Sequence, residues 1–96
     1  MRNLDNYNLN HQKILVTGGT GSFGNAFVSS TLKKYPSVEI VIYSRDEMKQ
    51  WDMALKYNAD NRIKFIIGDI RDKERIFRAL DGVDVVIHAA ATKIVP

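Results

Sequence analysis

Short apolar runs alternate along this chain with stretches in which apolar residues recur at helical spacing. Four of the runs are rich in valine and isoleucine and are predicted to be buried strands: KILVT (13–17), VEIVIYS (38–44), IKFIIGD (63–69) and VDVVIHAAA (83–91). Continuous apolar strands separated by amphipathic stretches are typical of a parallel sheet that is covered on both faces. The pattern therefore predicts an α/β fold.

Three helices are predicted between these strands, over residues 22–35, 45–57 and 71–80. Pro36 ends the first, and Asp81-Gly82 ends the third, since glycine readily adopts the left-handed conformation beyond a helix. We expect their inward faces to consist mainly of apolar and small residues: Phe23, Ala26, Phe27, Ser30 and Thr31 in the first helix, Met48, Trp51 and Leu55 in the second, and Ile76, Phe77 and Leu80 in the third.

The order β-α-β-α-β-α-β predicts a particular topology. Right-handed crossovers favour a Rossmann-like doubly wound parallel sheet with strand order 3-2-1-4. Residues 1–12 are polar and are predicted to be a flexible leader, and residues 13–96 the N-terminal, four-strand portion of a Rossmann-like domain. Such sheets usually continue past the fourth strand, so we expect this chain to be the N-terminal part of a longer protein, or a chain that ends early. The open strand edge would be covered in a homo-oligomer or by another partner.

Composition narrows the function classes. The chain has no cysteine, which excludes disulfides, thiolate metal sites and cysteine nucleophiles. No run approaches the roughly 18 apolar residues of a membrane span, and the first 12 residues do not form a signal peptide, so we expect a cytoplasmic protein without a metal. The net charge of +3 comes from scattered residues with no basic, aromatic-interleaved stripe, so nucleic acid is not an expected partner.

Glycines are concentrated in the stretch ILVTGGTGSFGNAFV, between the first strand and the first helix. Gly18, Gly21 and Gly24 have the spacing G-x-x-G-x-x-G. Gly18 and Gly21 would clear the backbone for a pyrophosphate, which the helix N-terminus attracts, while Gly24 would permit close packing of helix on strand. Thr20 and Ser22 can add hydroxyl donors. The alternative is a glycine-rich turn without a ligand, but the strand-turn-helix context favours dinucleotide binding.

The end of the second strand bears on which cofactor binds. Ser44 and Arg45 stand 20 and 21 residues after Gly24, where an acidic residue would favour NAD. A hydroxyl and a guanidinium would instead attract a 2′-phosphate, and Lys49 lies one helical turn further on. The sequence therefore favours NADP over NAD.

Two alternatives remain open at this strand end. Ser44 and Glu47 have the spacing of a capping box for the second helix. Asp46, shifted by one position, could serve the ribose in an NAD enzyme.

Further candidates follow the third and fourth strands. Asp69 can accept a hydrogen bond from the adenine amino group, with Ile70 against the ring, or it can cap the next helix. His88 is expected to be structural rather than a catalytic base, and His11 to be solvated. Small residues after the fourth strand would let the cofactor lie across the sheet edge, or would serve tight helix packing: Ala89, Ala90 and Ala91.

Taken together, VTGGTGSFG, SRDE, GDIRD and VIHAAATKIVP resemble the extended short-chain dehydrogenase/reductase superfamily. Within it they resemble the UDP-N-acetylglucosamine 4,6-dehydratases, including the inverting type, and the capsular polysaccharide biosynthesis proteins. The resemblance covers Lys13 to Pro96. It implies a bacterial lyase that recycles bound NADP: hydride leaves sugar C4, water is lost across C5–C6, and hydride returns at C6. The product would be a 4-keto-6-deoxy sugar nucleotide for surface polysaccharide or glycan synthesis.

The resemblance also implies site residues at the matching positions. Lys93 would lie near the sugar or the phosphates. Nucleotide contacts are implied at Thr20, Gly21, Ser22, Phe23, Ser44, Arg45, Asp46, Lys49, Asp69, Ile70, Ala89, Ala90 and Ala91.

The superfamily's chemistry requires a Tyr-x-x-x-Lys pair, which this chain lacks. Four residues after its tyrosines, at positions 7, 35, 43 and 57, stand His11, Glu39, Glu47 and Asn61. We therefore assign no catalytic residue, and we expect the chain to bind cofactor without turning over a UDP-sugar. The alternatives are another extended reductase, such as an epimerase, and a non-catalytic NADP-sensing module.

Overall fold

Strands and helices alternate along the chain in the computed structural model, which describes residues 8–18, 20–57 and 60–88. The strands are β1 (Lys13–Thr17), β2 (Glu39–Ser44), β3 (Ile63–Ile67) and β4 (Val85–His88). The helices are α1 (Ser22–Lys34), α2 (Glu47–Lys56) and α3 (Lys73–Ala79). All predicted elements are present. Apart from β1, the observed elements are shorter than the predicted ranges, mainly because turns and helix caps occupy the ends of those ranges.

The strands form one parallel sheet in the order β3-β2-β1-β4. β1 is central, with Ile14 opposite Ile40 of β2 and opposite Val85 of β4. The predicted Rossmann-like order is therefore confirmed. Because all strands are parallel, their carboxyl ends lie along one edge of the sheet.

Both faces of the sheet are buried at the inner strands β1 and β2, as the apolar runs predict, while the outer strands β3 and β4 are partly exposed. Ile14 and Val16 of β1 face a core completed by Val28 of α1 and Met53 of α2. Leu15 faces the opposite side, where a smaller core includes residues from β2 and α3. This alternation along one strand is what fixes two layers of helices around the sheet.

The buried stripe of α1 differs from the predicted one. Phe23, Ala26 and Ser30 are exposed, while Thr31 is buried and Phe27 packs partly against the core. The buried stripe follows positions i, i+4, i+7 and i+8, which rotates it relative to the predicted face. Its members are Gly24, Val28, Thr31 and Leu32.

The predicted inward face of α2 is wrong. Met48 and Trp51 are 73% and 65% exposed, and Leu55 is exposed as well. The helix instead buries Met53 and the polar Gln50, which binds backbone carbonyls at the strand ends. Burial of a polar side chain is tolerated when its hydrogen bonds are satisfied in this way.

In α3 the predicted face is correct in part. Ile76 and Leu80 pack against the smaller core, but Phe77 is 78% exposed. Gly82, which was predicted to end this helix, has φ +73° and lies two residues beyond the C-terminal cap at Leu80.

The segment before β1 docks on the domain from Leu9 onward. Leu9 is buried in the larger core, and the Asn10 side chain accepts a hydrogen bond from the Ser37 N–H. His11 is exposed, as expected, and its N–H donates to the Ser37 carbonyl. The rest of the predicted leader, residues 1–7, lies outside the described residues.

An arginine ties the end of α1 to the start of β3. Arg62 donates from Nη1 to the carbonyls of Leu32 and Tyr35, both at 3.0 Å. Its guanidinium also donates to both oxygens of Asp60, at 2.9 and 2.6 Å. Hydrogen bonds from Arg62 lower the pKa of the Asp60 carboxyl. Arg62, held by Asp60, thus donates to carbonyls at the C-terminal end of α1.

We expect Arg62→Ala to lower the free energy of unfolding by about 2–3 kcal/mol, because charge-assisted hydrogen bonds to the helix end and to Asp60 are lost. Urea denaturation measures this change. The control is Lys64→Ala at an exposed position of β3, whose free energy of unfolding should lie within about 0.5 kcal/mol of that of the unsubstituted chain. Because the pKa of Asp60 is lowered on folding, its stabilisation is present above the usual carboxyl pKa and is lost as the pH falls through the folded value. Equal stability of Arg62→Ala and Lys64→Ala would contradict this account.

Candidate functional site

The carboxyl ends of β1, β2 and β3 are joined by two backbone hydrogen bonds beyond the strands themselves. The Gly18 N–H donates to the Tyr43 carbonyl, and the Gly68 N–H donates to the Ser44 carbonyl, both at 2.9 Å. The parallel ladders therefore continue one step past β1 and β3. As a result, three loops that follow successive strands start side by side.

The glycine turn after β1 leads into a helix N-terminus without a side-chain cap. Gly18 has φ +64°, a conformation that favours glycine. Gly21 is the N-cap of α1. It makes no side-chain cap hydrogen bond, and the first turn of the helix contains no acidic residue. Uncapped N–H groups at a helix start attract an anion. The Asn25 side chain instead holds the turn, donating to the carbonyls of Thr20 and Gly21 at 3.1 Å.

Gly21 also passes a steric test for a bound group. A Cβ built at this position would meet the Gly18 carbonyl oxygen at 3.9 Å, an ordinary contact, and no nearer atom of the described chain. The fold of the described residues therefore does not itself require glycine here. Close approach of a pyrophosphate to the backbone would require it, so the residues present fit the predicted cofactor.

A cavity of about 380 Å³ opens between the three loops. It brings together Gly18, Ser44, Arg45, Asp69 and Ile70, which the sequence had singled out from three different loops. The lining also includes residues that the sequence did not single out as site candidates: Tyr43, Gly68 and Arg71.

Tyr43 and Gly68 form a fitted pair in the wall of this cavity. A Cβ at Gly68 would collide with the Tyr43 ring, so only glycine allows the tyrosine its position. The Tyr43 hydroxyl donates to the Asp69 carbonyl at 2.9 Å, and burial raises its pKa so that it remains a donor. A glycine directly after an apolar strand is the sequence signal that could have identified this contact.

Two arginines flank the Asp69 carboxylate. Arg71 donates to it from its backbone N–H and from Nη2, both at 2.8 Å, and Nη1 of Arg45 lies 3.6 Å away. Hydrogen bonds from Arg71 lower the pKa of the Asp69 carboxyl to about 2. Asp69 therefore stays ionised at neutral pH and can only accept hydrogen bonds, as contact with an adenine amino group requires.

The helix-capping alternatives have different outcomes from those predicted. Asp72, not Asp69, is the N-cap of α3, and Asp46, not Ser44, is the N-cap of α2. The predicted Ser44 capping box is therefore wrong. Asp46 accepts from the Lys49 N–H at 3.0 Å, and neither residue lines the cavity.

The remaining candidates occupy the periphery or lie outside the described residues. Ser22 is exposed at the start of α1, and Phe23 is largely exposed on its outer surface. His88 at the end of β4 is hydrogen-bonded, with Nδ1 2.6 Å from the Thr17 hydroxyl. The predicted contacts after β4 lie outside the described residues: Ala89, Ala90, Ala91 and Lys93.

Two kinds of site are not found in the described part of the chain. No group of three or more histidine, aspartate or glutamate side chains there could hold a metal ion. No described helix combines the length and apolar character needed to span a bilayer.

The strand order together with the glycine turn defines the class of protein: a Rossmann-like α/β domain. Residues 14–96 match the polysaccharide biosynthesis protein family, and the chain belongs to that family. This agrees with the resemblance carried by the sequence motifs.

Curated relatives include two kinds of nucleotide-sugar enzyme. The chain is 53% identical over 87 residues to a UDP-N-acetylglucosamine 4,6-dehydratase (inverting) of Campylobacter jejuni, covering 91% of this chain and 26% of the relative. It is 51% identical over 86 residues to a UDP-glucose 4-epimerase of Rickettsia prowazekii, covering 86% and 25%. The chain thus spans about a quarter of the length of these relatives.

Solved structures show the same fold. Pen from Bacillus thuringiensis superposes with a TM-score of 0.79 at 32% identity, covering 85% of this chain and 25% of that one. A dTDP-glucose 4,6-dehydratase from Bacillus anthracis, solved with NAD, has a TM-score of 0.74 at 24% identity, covering 82% and 26%. The second likeness concerns the fold alone.

We expect the Asp69 carboxyl to titrate near pH 2, because Arg71 stabilises its ionised form. Carboxyl-detected NMR across an acid titration measures this directly. Arg71→Ala should move the midpoint up toward the usual 3.8, while Arg78→Ala on the exposed surface of α3 should not. Since the folded pKa is lowered, stabilisation from Asp69 is present above the usual value and is lost as the pH falls toward 2. A midpoint unaffected by Arg71→Ala would contradict the assignment.

Proposed function

We propose that this chain is the NADP-binding portion of a nucleotide-sugar 4,6-dehydratase that converts UDP-N-acetylglucosamine to a 4-keto-6-deoxy sugar nucleotide. The observation that supports this most strongly is the cavity where Gly18, Ser44, Arg45 and Asp69 meet at the carboxyl edge of the sheet. Ligands of open α/β sheets bind at this edge. The family membership and the Campylobacter relative support the substrate class.

Each part of the cofactor has residues suited to it. The pyrophosphate would lie against Gly18 and Gly21 at the start of α1, where the helix dipole favours negative charge. The adenine would lie at Asp69 and Ile70, and the 2′-phosphate at Arg45. When bound, NADP supplies the acceptor and donor of hydride. The residues of this chain hold it in place.

Charge at the cavity favours NADP over NAD in this proposal. Arg45 and Arg71 face a single carboxylate, Asp69, among the charged residues that line the cavity. The Arg45 side chain is 70% exposed, and its ion pair with Asp69 is long. Its guanidinium can therefore bind a phosphate without breaking a short hydrogen bond. Asp46, the carboxylate that would suit NAD, is engaged as the α2 cap.

The chemistry on the sugar belongs to the longer parent in this proposal. A Tyr-x-x-x-Lys pair and the sugar-binding part would follow Pro96, and the 96 residues alone would bind cofactor without turnover. We further propose that the parent is a cytoplasmic homo-oligomer serving surface glycan synthesis.

A second candidate function is epimerisation of a UDP-sugar. The Rickettsia prowazekii relative named UDP-glucose 4-epimerase is 51% identical, close to the value for the dehydratase. Both reactions would use the same cofactor cavity, so the described residues do not distinguish between them, whereas their products do.

We expect calorimetry to show NADP binding at least tenfold more tightly than NAD, because a charge-assisted hydrogen bond to phosphate is worth about 1.5–3 kcal/mol. Arg45→Ala should weaken NADP binding about tenfold or more and leave NAD within about twofold. Arg78→Ala is the matched control: Arg78 does not line this cavity, so its substitution should change the affinity for neither cofactor. Equal affinities for the two cofactors, no binding of either, or an unaffected Arg45→Ala variant would contradict the NADP assignment.

We expect the full-length parent, supplied with UDP-N-acetylglucosamine, to form a product lighter by one water, detected by mass spectrometry. Dehydration across C5–C6 with internal return of hydride requires this mass change and consumes no cofactor. UDP-glucose serves as the comparison substrate. A product of unchanged mass with inverted C4 would instead identify an epimerase, and absence of any product would overturn both candidates.

A further inference from the structure

Gln50 is a buried polar residue next to the candidate cofactor cavity, and none of the roles described above accounts for it. It lies in the first turns of α2 and is only 4% exposed. Its Nε2 is within hydrogen-bond distance of three oxygens: the Ile66 carbonyl at 2.8 Å, the Ser44 hydroxyl at 2.9 Å and the Ser44 carbonyl at 3.3 Å. The side chain thus joins the carboxyl ends of β2 and β3.

These contacts fix the direction of the hydrogen bond to Ser44. Two of the three oxygens are backbone carbonyls, which can only accept, so the amide nitrogen of Gln50 and not its oxygen must face them. An amide nitrogen can only donate. The Ser44 hydroxyl oxygen is therefore the acceptor, and its own hydrogen must point elsewhere.

The Ser44 hydroxyl hydrogen is free to serve a ligand. Ser44 lines the cavity beside Arg45, and no acceptor among the described residues takes this hydrogen. A group bound in the cavity would complete the bond if it offered an acceptor oxygen. A phosphate ester offers acceptor oxygens with negative charge, whereas a ribose hydroxyl is a neutral and therefore weaker acceptor.

We propose that Gln50 is a positioning residue for cofactor specificity: it holds the Ser44 hydroxyl as a hydrogen-bond donor toward the adenosine 2′-phosphate. This inference rests on the proposed NADP site and adds to it a buried residue that acts through Ser44. The same amide also lies within hydrogen-bond distance of the Ser44 and Ile66 carbonyls at the ends of β2 and β3.

The test is a double-mutant cycle on binding. Gln50→Met retains side-chain length but removes the donor, and it should lower the affinity for NADP about five- to tenfold while NAD changes less than about twofold. In a Ser44→Ala background, Gln50→Met should change the NADP-to-NAD affinity ratio less than about twofold, because the hydroxyl it orients is gone. Gln12→Met is the control, because it makes the same substitution directly before the amino end of β1, at the edge of the sheet opposite the cavity.

The cycle separates positioning of Ser44 from a general structural role. A purely structural Gln50 would weaken NADP binding equally in the Ser44→Ala background, and that result would overturn the inference. If the unsubstituted chain prefers NADP but Gln50→Met preserves that preference, the inference fails while the proposed cofactor site stands. If the unsubstituted chain binds neither cofactor, both the inference and the proposed cofactor site fail.

Thermal unfolding accompanies each binding measurement. Where Gln50→Met does not fold, Ser44→Ala tests the donor on which the inference depends, because it removes the hydroxyl and leaves the amide of Gln50 on both carbonyls. It should lower NADP affinity about five- to tenfold with NAD nearly unchanged. Unaltered NADP affinity in Ser44→Ala would overturn the inference.

Discussion

The site depends on two backbone hydrogen bonds that extend the parallel ladders beyond their strands. Gly18 donates to the Tyr43 carbonyl, and Gly68 donates to the Ser44 carbonyl. Each bond brings the loop after one strand against the end of the next. Gly18 provides the left-handed turn, and Gly68 leaves room for the Tyr43 ring. These contacts hold side by side the three loops that carry the glycine turn, the arginine and the carboxylate.

Side chains at this edge complete what the backbone begins. Arg71 holds the Asp69 carboxylate in its ionised form, and Gln50 saturates carbonyls at the ends of two strands. Donor groups remain for a ligand at this edge on Arg45, on Ser44 and at the start of α1. All of these suit an anionic ligand, and they occur where a doubly wound sheet places its ligands.

The strand order and most of the cavity lining were predictable because both depend on local signals: apolar runs, glycine spacing and the residues just after each strand. The helix faces were less predictable. Spacing favoured Met48, Trp51 and Leu55 in α2, yet the helix buries Gln50, whose hydrogen-bond partners come from the strands before and after the helix. Gly68 likewise acquires its role only through the register that sets Tyr43 opposite Ile66.

A crystal structure of this chain with NADP would test the central claim most directly. The account predicts the adenosine 2′-phosphate within hydrogen-bond distance of the Arg45 guanidinium and the Ser44 hydroxyl, with the adenine against Ile70 and its amino group at Asp69. An adenosine end bound outside this cavity, or a 2′-phosphate turned away from both Ser44 and Arg45, would contradict it.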